Sequence, residues 1–120
     1  MSNLAELSIT EATKKLAAGE ITAVELTRAC LNNISAKNAE LNAYLEVFAD
    51  AEEQAVEADK RRTAGENSAL LGIPIAMKDN ILIEGKKASA ASKILEGYTA
   101  TYDAPVTAKL TQAGAIFLGR

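Results

Sequence analysis

The chain has 120 residues, 48% of them hydrophobic and 24% charged, with a formal net charge of −3, one cysteine and no histidine or tryptophan. This is the size and balance of a single globular domain. The acidic balance and the 4% aromatic content supply neither the basic footprint nor the stacking platforms of a nucleic-acid-binding segment. The absence of histidine removes imidazole acid–base chemistry and most zinc sites. Cys30 has no partner for an internal disulfide, which fits a reducing compartment. No basic-then-apolar leader opens the chain and no apolar run approaches the ~18 residues of a membrane span, so the expected location is cytoplasmic, with no membrane partner.

Ser8-Ile9-Thr10-Glu11 and Thr22-Ala23-Val24-Glu25 both read as capping boxes, a hydroxyl at the N-cap answered by a glutamate three residues on. A short helix follows the first and ends near Gly19. A longer one follows the second to about Lys37, with Val24, Thr27, Leu31 and Ile34 at helical spacing, widened by Leu26 and Cys30. The stretch Asn42 to Phe48 reads as a short strand. Asp50 caps a third helix from Ala51 to about Thr63, with Ala55, Val56 and Ala58 as its apolar positions, and Gly65 to Ser68 is a loop.

The run Leu70-Leu71-Gly72-Ile73-Pro74-Ile75-Ala76-Met77-Lys78 reads as a strand with Ile73, Ile75 and Met77 on one face and Pro74, Ala76 and Lys78 on the other. Both faces are apolar until Lys78, which predicts burial on both sides. Ile81-Leu82-Ile83 either continues it or forms a second short strand before a Glu84-Gly85 turn. Ser92 to Leu95 forms one helical turn. Asp103 caps a fourth helix, with Pro105 in its first turn and Val106, Leu110 and Ala113 on the buried side. Gly114 stops it, and Ala115-Ile116-Phe117-Leu118 is a final buried strand. Strand, helix, strand in this order predicts a parallel βαβ unit. The fold class is α/β: a helical region over about 1–65 packed on the start of a mixed, partly parallel sheet over about 70–120.

Lys78 is the candidate site residue. A lysine closing a strand is commonly solvated or salt-bridged. A buried ammonium must be paired, hydrogen-bonded or neutral, and a neutral lysine is a base near physiological pH. Asp79 reads as structural, fixing the turn after the strand. Cys30, on the apolar side of its helix, reads as an inert thiol. Lys60-Arg61-Arg62 reads as a solvated helix end favoured by the helix dipole. Ser89 and Ser92 sit in no glycine-rich elbow, so they read as capping or turn residues rather than nucleophiles.

The segment Gly72-Ile73-Pro74-Ile75-Ala76-Met77-Lys78-Asp79-Asn80-Ile81 resembles the lysine segment of the amidase-signature enzymes. The resemblance extends through Gly19 to Leu26, Leu41-Asn42-Ala43-Tyr44, Ala91 to Glu96, Tyr102 to Val106 and Gly114 to Gly119. The Ser-Lys-Ile-Leu and Tyr-Asp-Ala stretches lean toward the A subunits of glutamyl-tRNA(Gln) or aspartyl-tRNA(Asn) amidotransferases. Ala88-Ser89-Ala90-Ala91 departs from the threonines and cysteine of the family pattern. The resemblance implies a Ser–Ser–Lys arrangement in which Lys78 is the catalytic lysine and both serines lie downstream of Arg120, so the chain reads as the N-terminal part of one amidase-signature domain and inactive alone. It implies a glutaminase subunit working with subunits B and C as a heterotrimer. Glutamine is the amide donor, misacylated tRNA is held mainly by a partner, and ATP with magnesium is used at a partner subunit. No cofactor is implied for this segment. The alternative is a free-standing amidase acting on small-molecule amides.

Overall fold

The computed structural model describes residues 3–120. Four helices and two strands follow a 3-10 turn at Leu4–Glu6: α1 Ile9–Ala17, α2 Ala23–Leu41, α3 Ala51–Thr63, β1 Pro74–Ala76, a second 3-10 turn Lys93–Leu95, α4 Pro105–Ala113 and β2 Ile116–Gly119. Both capping boxes form. The Ser8 hydroxyl accepts the Glu11 N–H while the Glu11 carboxylate accepts the Ser8 N–H, and Thr22 and Glu25 do the same.

α2 runs past the expected end at Lys37 and closes at Asn42, whose φ of 51° is the left-handed C-cap. Asn38 holds this exit, its amide making paired hydrogen bonds to the Tyr44 backbone at 3.0 and 2.8 Å. α2 and α3 pack against each other and against the sheet. The buried positions of α3 are Ala51, Ala55 and Ala58, small residues that let the helices approach closely. Val56, expected to be apolar-side, is 44% exposed, because it falls between the positions that repeat at helical spacing. The carboxylate of Asp59 crosses from α3 to the start of α2 and accepts the Ala23 and Val24 N–H groups at 2.8 and 3.2 Å. Two of the orphan donors at that helix start are thus satisfied from another element.

β1 and β2 pair in parallel, Pro74 with Ile116 and Ile75 with Phe117, with α4 in the crossover. The segment before α3 runs antiparallel beside β2 through a Val47–Gly119 bridge, with the Phe48 N–H donating to the Leu118 carbonyl at 2.8 Å. The sheet is therefore mixed, and the strand expected over 42–48 is reduced to this bridge. Gln54 of α3 makes both hydrogen bonds to the Phe117 backbone, 2.8 and 3.1 Å, as another strand would.

β2 is buried throughout. Its side chains alternate between two clusters. Ile116 and Leu118 join Leu16, Leu26, Leu71 and Ile73 under the helices, while Phe117 packs with Phe48 and Met77. Gly114, at φ 88°, ends α4. A Cβ there would collide with the Leu71 side chain, so the site requires glycine both for its backbone angle and for this close approach.

Three expectations fail between the strands. Residues 81–83 form no strand; the Leu82 carbonyl instead accepts the Ala104 N–H at 2.9 Å and the Thr107 hydroxyl at 2.7 Å. Asp103 does not cap α4. Ala104 occupies that position, and the Asp103 carboxylate accepts the Glu84 N–H at 2.8 Å. The buried residue of α4 is Thr107, whereas Val106 is 46% exposed. The Asp103 carboxylate and the Thr107 hydroxyl both found partners distant in sequence, at the Glu84 N–H and the Leu82 carbonyl.

Candidate functional site

β1 ends at Ala76, two residues before Lys78. The pairing shifts register between Ile75 and Ala76, and the Met77 N–H still donates to the Gly119 carbonyl at 3.0 Å. Met77 turns into the core at 4% exposure. The opposite face opens progressively: Pro74 is half-buried, and Ala76 and Lys78 are exposed. The expectation of burial on both sides is thus corrected at the strand's end. Nothing among the described residues covers that face beyond Pro74, and among them the Lys78 ammonium has no hydrogen-bond or ion-pair partner.

Lys78 lines an open cleft of about 320 Å³ with Leu45, Asp79, Asn80, Ala90 and Ala91. Three segments build the walls: the Leu45 stretch beside β2, the turn 78–80, and the loop 89–92. The last is unusual. Ala90 and Ala91 both have positive φ, 49° and 59°, a left-handed conformation that costs an L-residue with a Cβ roughly 1–2 kcal/mol. Such geometry persists only where surrounding bonds impose it.

Asp79 supplies those bonds. Its carbonyl accepts the Ala90 N–H at 3.1 Å. One carboxylate oxygen accepts the Ser89 N–H at 3.2 Å and the Arg120 guanidinium at 2.6 Å; the other accepts the Ser89 hydroxyl. Arg120 also donates to the Glu46 carboxylate at 2.8 Å. The Asp79 and Arg120 side chains are only 10% and 12% exposed. Burial works to raise the Asp79 pKa, but the hydrogen bonds from Ser89 and Arg120 outweigh it and hold the carboxyl down to about 2. The Glu46 hydrogen bond leads the interactions that raise the pKa of Arg120.

Of the residues singled out from sequence, the Asp79 carboxylate is taken up by Ser89 and Arg120, and Ser89 is its hydrogen-bond partner rather than a cap. Ser92 precedes the Lys93–Leu95 turn without a side-chain cap bond. Cys30 is half-buried and unpaired, and burial pushes its thiol pKa up. The arginines of Lys60-Arg61-Arg62 are not a solvated end. Arg61 donates to the Thr111 and Gln112 carbonyls at the end of α4 at 3.3 and 2.8 Å and pairs with Glu66, and Arg62 donates to the Leu71 carbonyl at 2.8 Å. The Asp79–Arg120 pair was not legible from sequence, since 41 positions separate the partners.

The sequence profile of the amidase family matches residues 25–120. The A subunit of the glutamyl-tRNA(Gln) amidotransferase of Roseiflexus castenholzii is 46% identical over the whole of this chain and 25% of its own length. Its counterpart in Ectopseudomonas mendocina is 47% identical over 96% of this chain and 24% of its own. The chain thus spans about a quarter of the length of the curated relatives it matches. Among solved structures, the native peptide amidase of Stenotrophomonas maltophilia superposes with a TM-score of 0.89 at 35% identity, over 97% of this chain and 24% of that one.

Proposed function

This chain belongs to the amidase family, and from that premise we propose that it is the N-terminal part of the A subunit of a tRNA-dependent amidotransferase. The observation that carries the proposal is the match along the entire chain, at 46%, to the A subunit of a glutamyl-tRNA(Gln) amidotransferase. The open cleft at Lys78 supports the same reading, because a base must reach a substrate-bearing surface.

In this reading Lys78 acts as the base. It takes a proton from a bridging serine, which in turn deprotonates a nucleophilic serine, both supplied by the rest of the protein. The nucleophile attacks the side-chain amide of glutamine. The amide C–N bond breaks with proton return to nitrogen, ammonia leaves, and water hydrolyses the acyl-enzyme to glutamate. Ammonia then passes to a partner subunit, which activates the side-chain carboxylate of a misacylated Glu-tRNA(Gln) or Asp-tRNA(Asn). ATP with magnesium is assigned to that partner. Partners corresponding to subunits B and C and a cytoplasmic location complete the proposal. Among the described residues no helix is long and apolar enough to cross a membrane.

A free-standing amidase is the second reading, favoured by the superposition on peptide amidase. Co-expression of the full-length gene with its neighbours, and purification through a tag on this protein, separates the two. Glutaminase activity that rises with co-purified partners, ATP and misacylated tRNA is the expected result. Recovery of a lone protein that hydrolyses simple amides at full rate, without response to partner or tRNA, would overturn the amidotransferase assignment.

A further inference from the structure

We propose that Asp79 is a positioning residue for Lys78, fastening all three walls of the cleft into one arrangement through Ser89 and Arg120. The proposal rests on the reading of Lys78 as the base. Asp79 follows Lys78 directly in the chain, so whatever fixes its side chain fixes the turn that aims the lysine. Its carboxylate reaches one wall by accepting the Ser89 N–H and hydroxyl, and its carbonyl reaches that wall again through the Ala90 N–H. Its bond to Arg120 reaches the other wall. The Arg120 guanidinium donates to the Glu46 carboxylate at 2.8 Å, and the Arg120 carbonyl accepts the Leu45 N–H at 2.7 Å. The charged groups that converge here are Lys78, Asp79, Arg120 and Glu46.

A chemical role for Asp79 itself does not fit the geometry. The carboxylate already accepts from Ser89 twice and from Arg120, and its side chain is only 10% exposed. The left-handed pair Ala90–Ala91 gives the clamp its purpose. Released from Asp79, that loop would relax toward ordinary backbone angles and withdraw from Lys78. Ser89 is the second half of the device. Its hydroxyl donates to Asp79 and accepts from Arg120 at 3.4 Å, so it bridges acid and base within the clamp.

The test uses the full-length protein in its assembly, with glutamine as substrate and ammonia release as readout. Asp79→Asn, Ser89→Ala, Ser89→Thr and Lys78→Ala are compared by kcat, KM and thermal melt. Asp79→Asn and Ser89→Ala are expected to lower kcat by on the order of 10²-fold with KM little changed, the signature of misplaced catalytic geometry rather than lost binding. Ser89→Thr, which keeps the hydroxyl, is expected to restore most of the rate. A folded Asp79→Asn enzyme with wild-type kcat, or a Ser89→Ala loss that Ser89→Thr does not recover, overturns the inference. If Asp79→Asn fails to fold, the Ser89 pair decides by itself. Lys78→Ala separates the layers: turnover retained there removes the base assignment and this inference with it, whereas a dead Lys78→Ala beside an unaffected Asp79→Asn removes only the positioning role.

Discussion

The helical layer and the Lys78 cleft are held by opposite strategies. In the first, α2 and α3 close over small residues; Ser8 and Thr22 cap α1 and α2 locally, Asp59 adds bonds at the start of α2 from a distance, and Arg61 and Arg62 reach the carbonyls of Gln112 and Leu71. In the second, irregular backbone over residues 77–104 is tied down by a few charged side chains around Asp79, and large apolar residues stay outside. Ile94 is 94% exposed, Leu45 64% and Tyr102 60%. One region gains its order from burial. The other gains it from directed bonds that leave a face open, as a site receiving further protein or substrate requires.

The largest effect that tests this contrast is total. The 120-residue chain alone is expected to release no ammonia from glutamine and to bind hydrophobic dyes, with a broad melt, because its open face and sheet edge are uncovered. A sharp cooperative melt of a soluble monomer would show that the cleft region needs no further cover. In the full-length protein, Lys78→Ala or Lys78→Arg is expected to lower amide hydrolysis by on the order of 10²–10⁴-fold while the fold survives, since arginine stays protonated and does not act as a base at usable pH. Near wild-type turnover of Lys78→Arg would contradict the assignment.

Leu71 is 1% exposed within the helical cluster, so Leu71→Ala is expected to cost about 2–5 kcal/mol in denaturant unfolding of the full-length protein. A loss well below that would mean the core collapses around the cavity. The clamp has a pH signature instead. The folded pKa of Asp79 is about 2, below the ordinary value of about 3.9. Its stabilising contribution is therefore complete above about pH 4 and is lost as pH falls through about 2. The stability difference between wild type and Asp79→Asn should narrow over that window. A gap independent of pH would place the effect in packing. The smallest change is at the helix junction, where Asp59→Ala is expected to cost about 1 kcal/mol through the lost bonds to Ala23 and Val24. Urea titration measures it, and an unchanged midpoint would remove Asp59 from the capping of α2.

Where order came from neighbours in sequence, the chain was readable. The capping boxes at Ser8 and Thr22 and the glycine stop at Gly114 follow from local preference, which acts over a few residues, and the parallel pairing of the two strands follows from their strand–helix–strand order. The motif around Lys78 marked the candidate site and the family. Its environment was misjudged. The apolar run ahead of Lys78 predicted burial on both faces, but whether a strand face is covered depends on what packs there, and alternation cannot report that. Asp50, Asp103, Arg61 and Ser89 were read by their local preferences and went instead to Lys86, Glu84, Thr111 and Asp79. Thus the sequence by itself determined the four helices, the pair of parallel strands and the position of the lysine. Only the tertiary structure decided which charges meet, because a side-chain hydrogen bond satisfies any suitable group within about 3 Å, regardless of how many residues lie between.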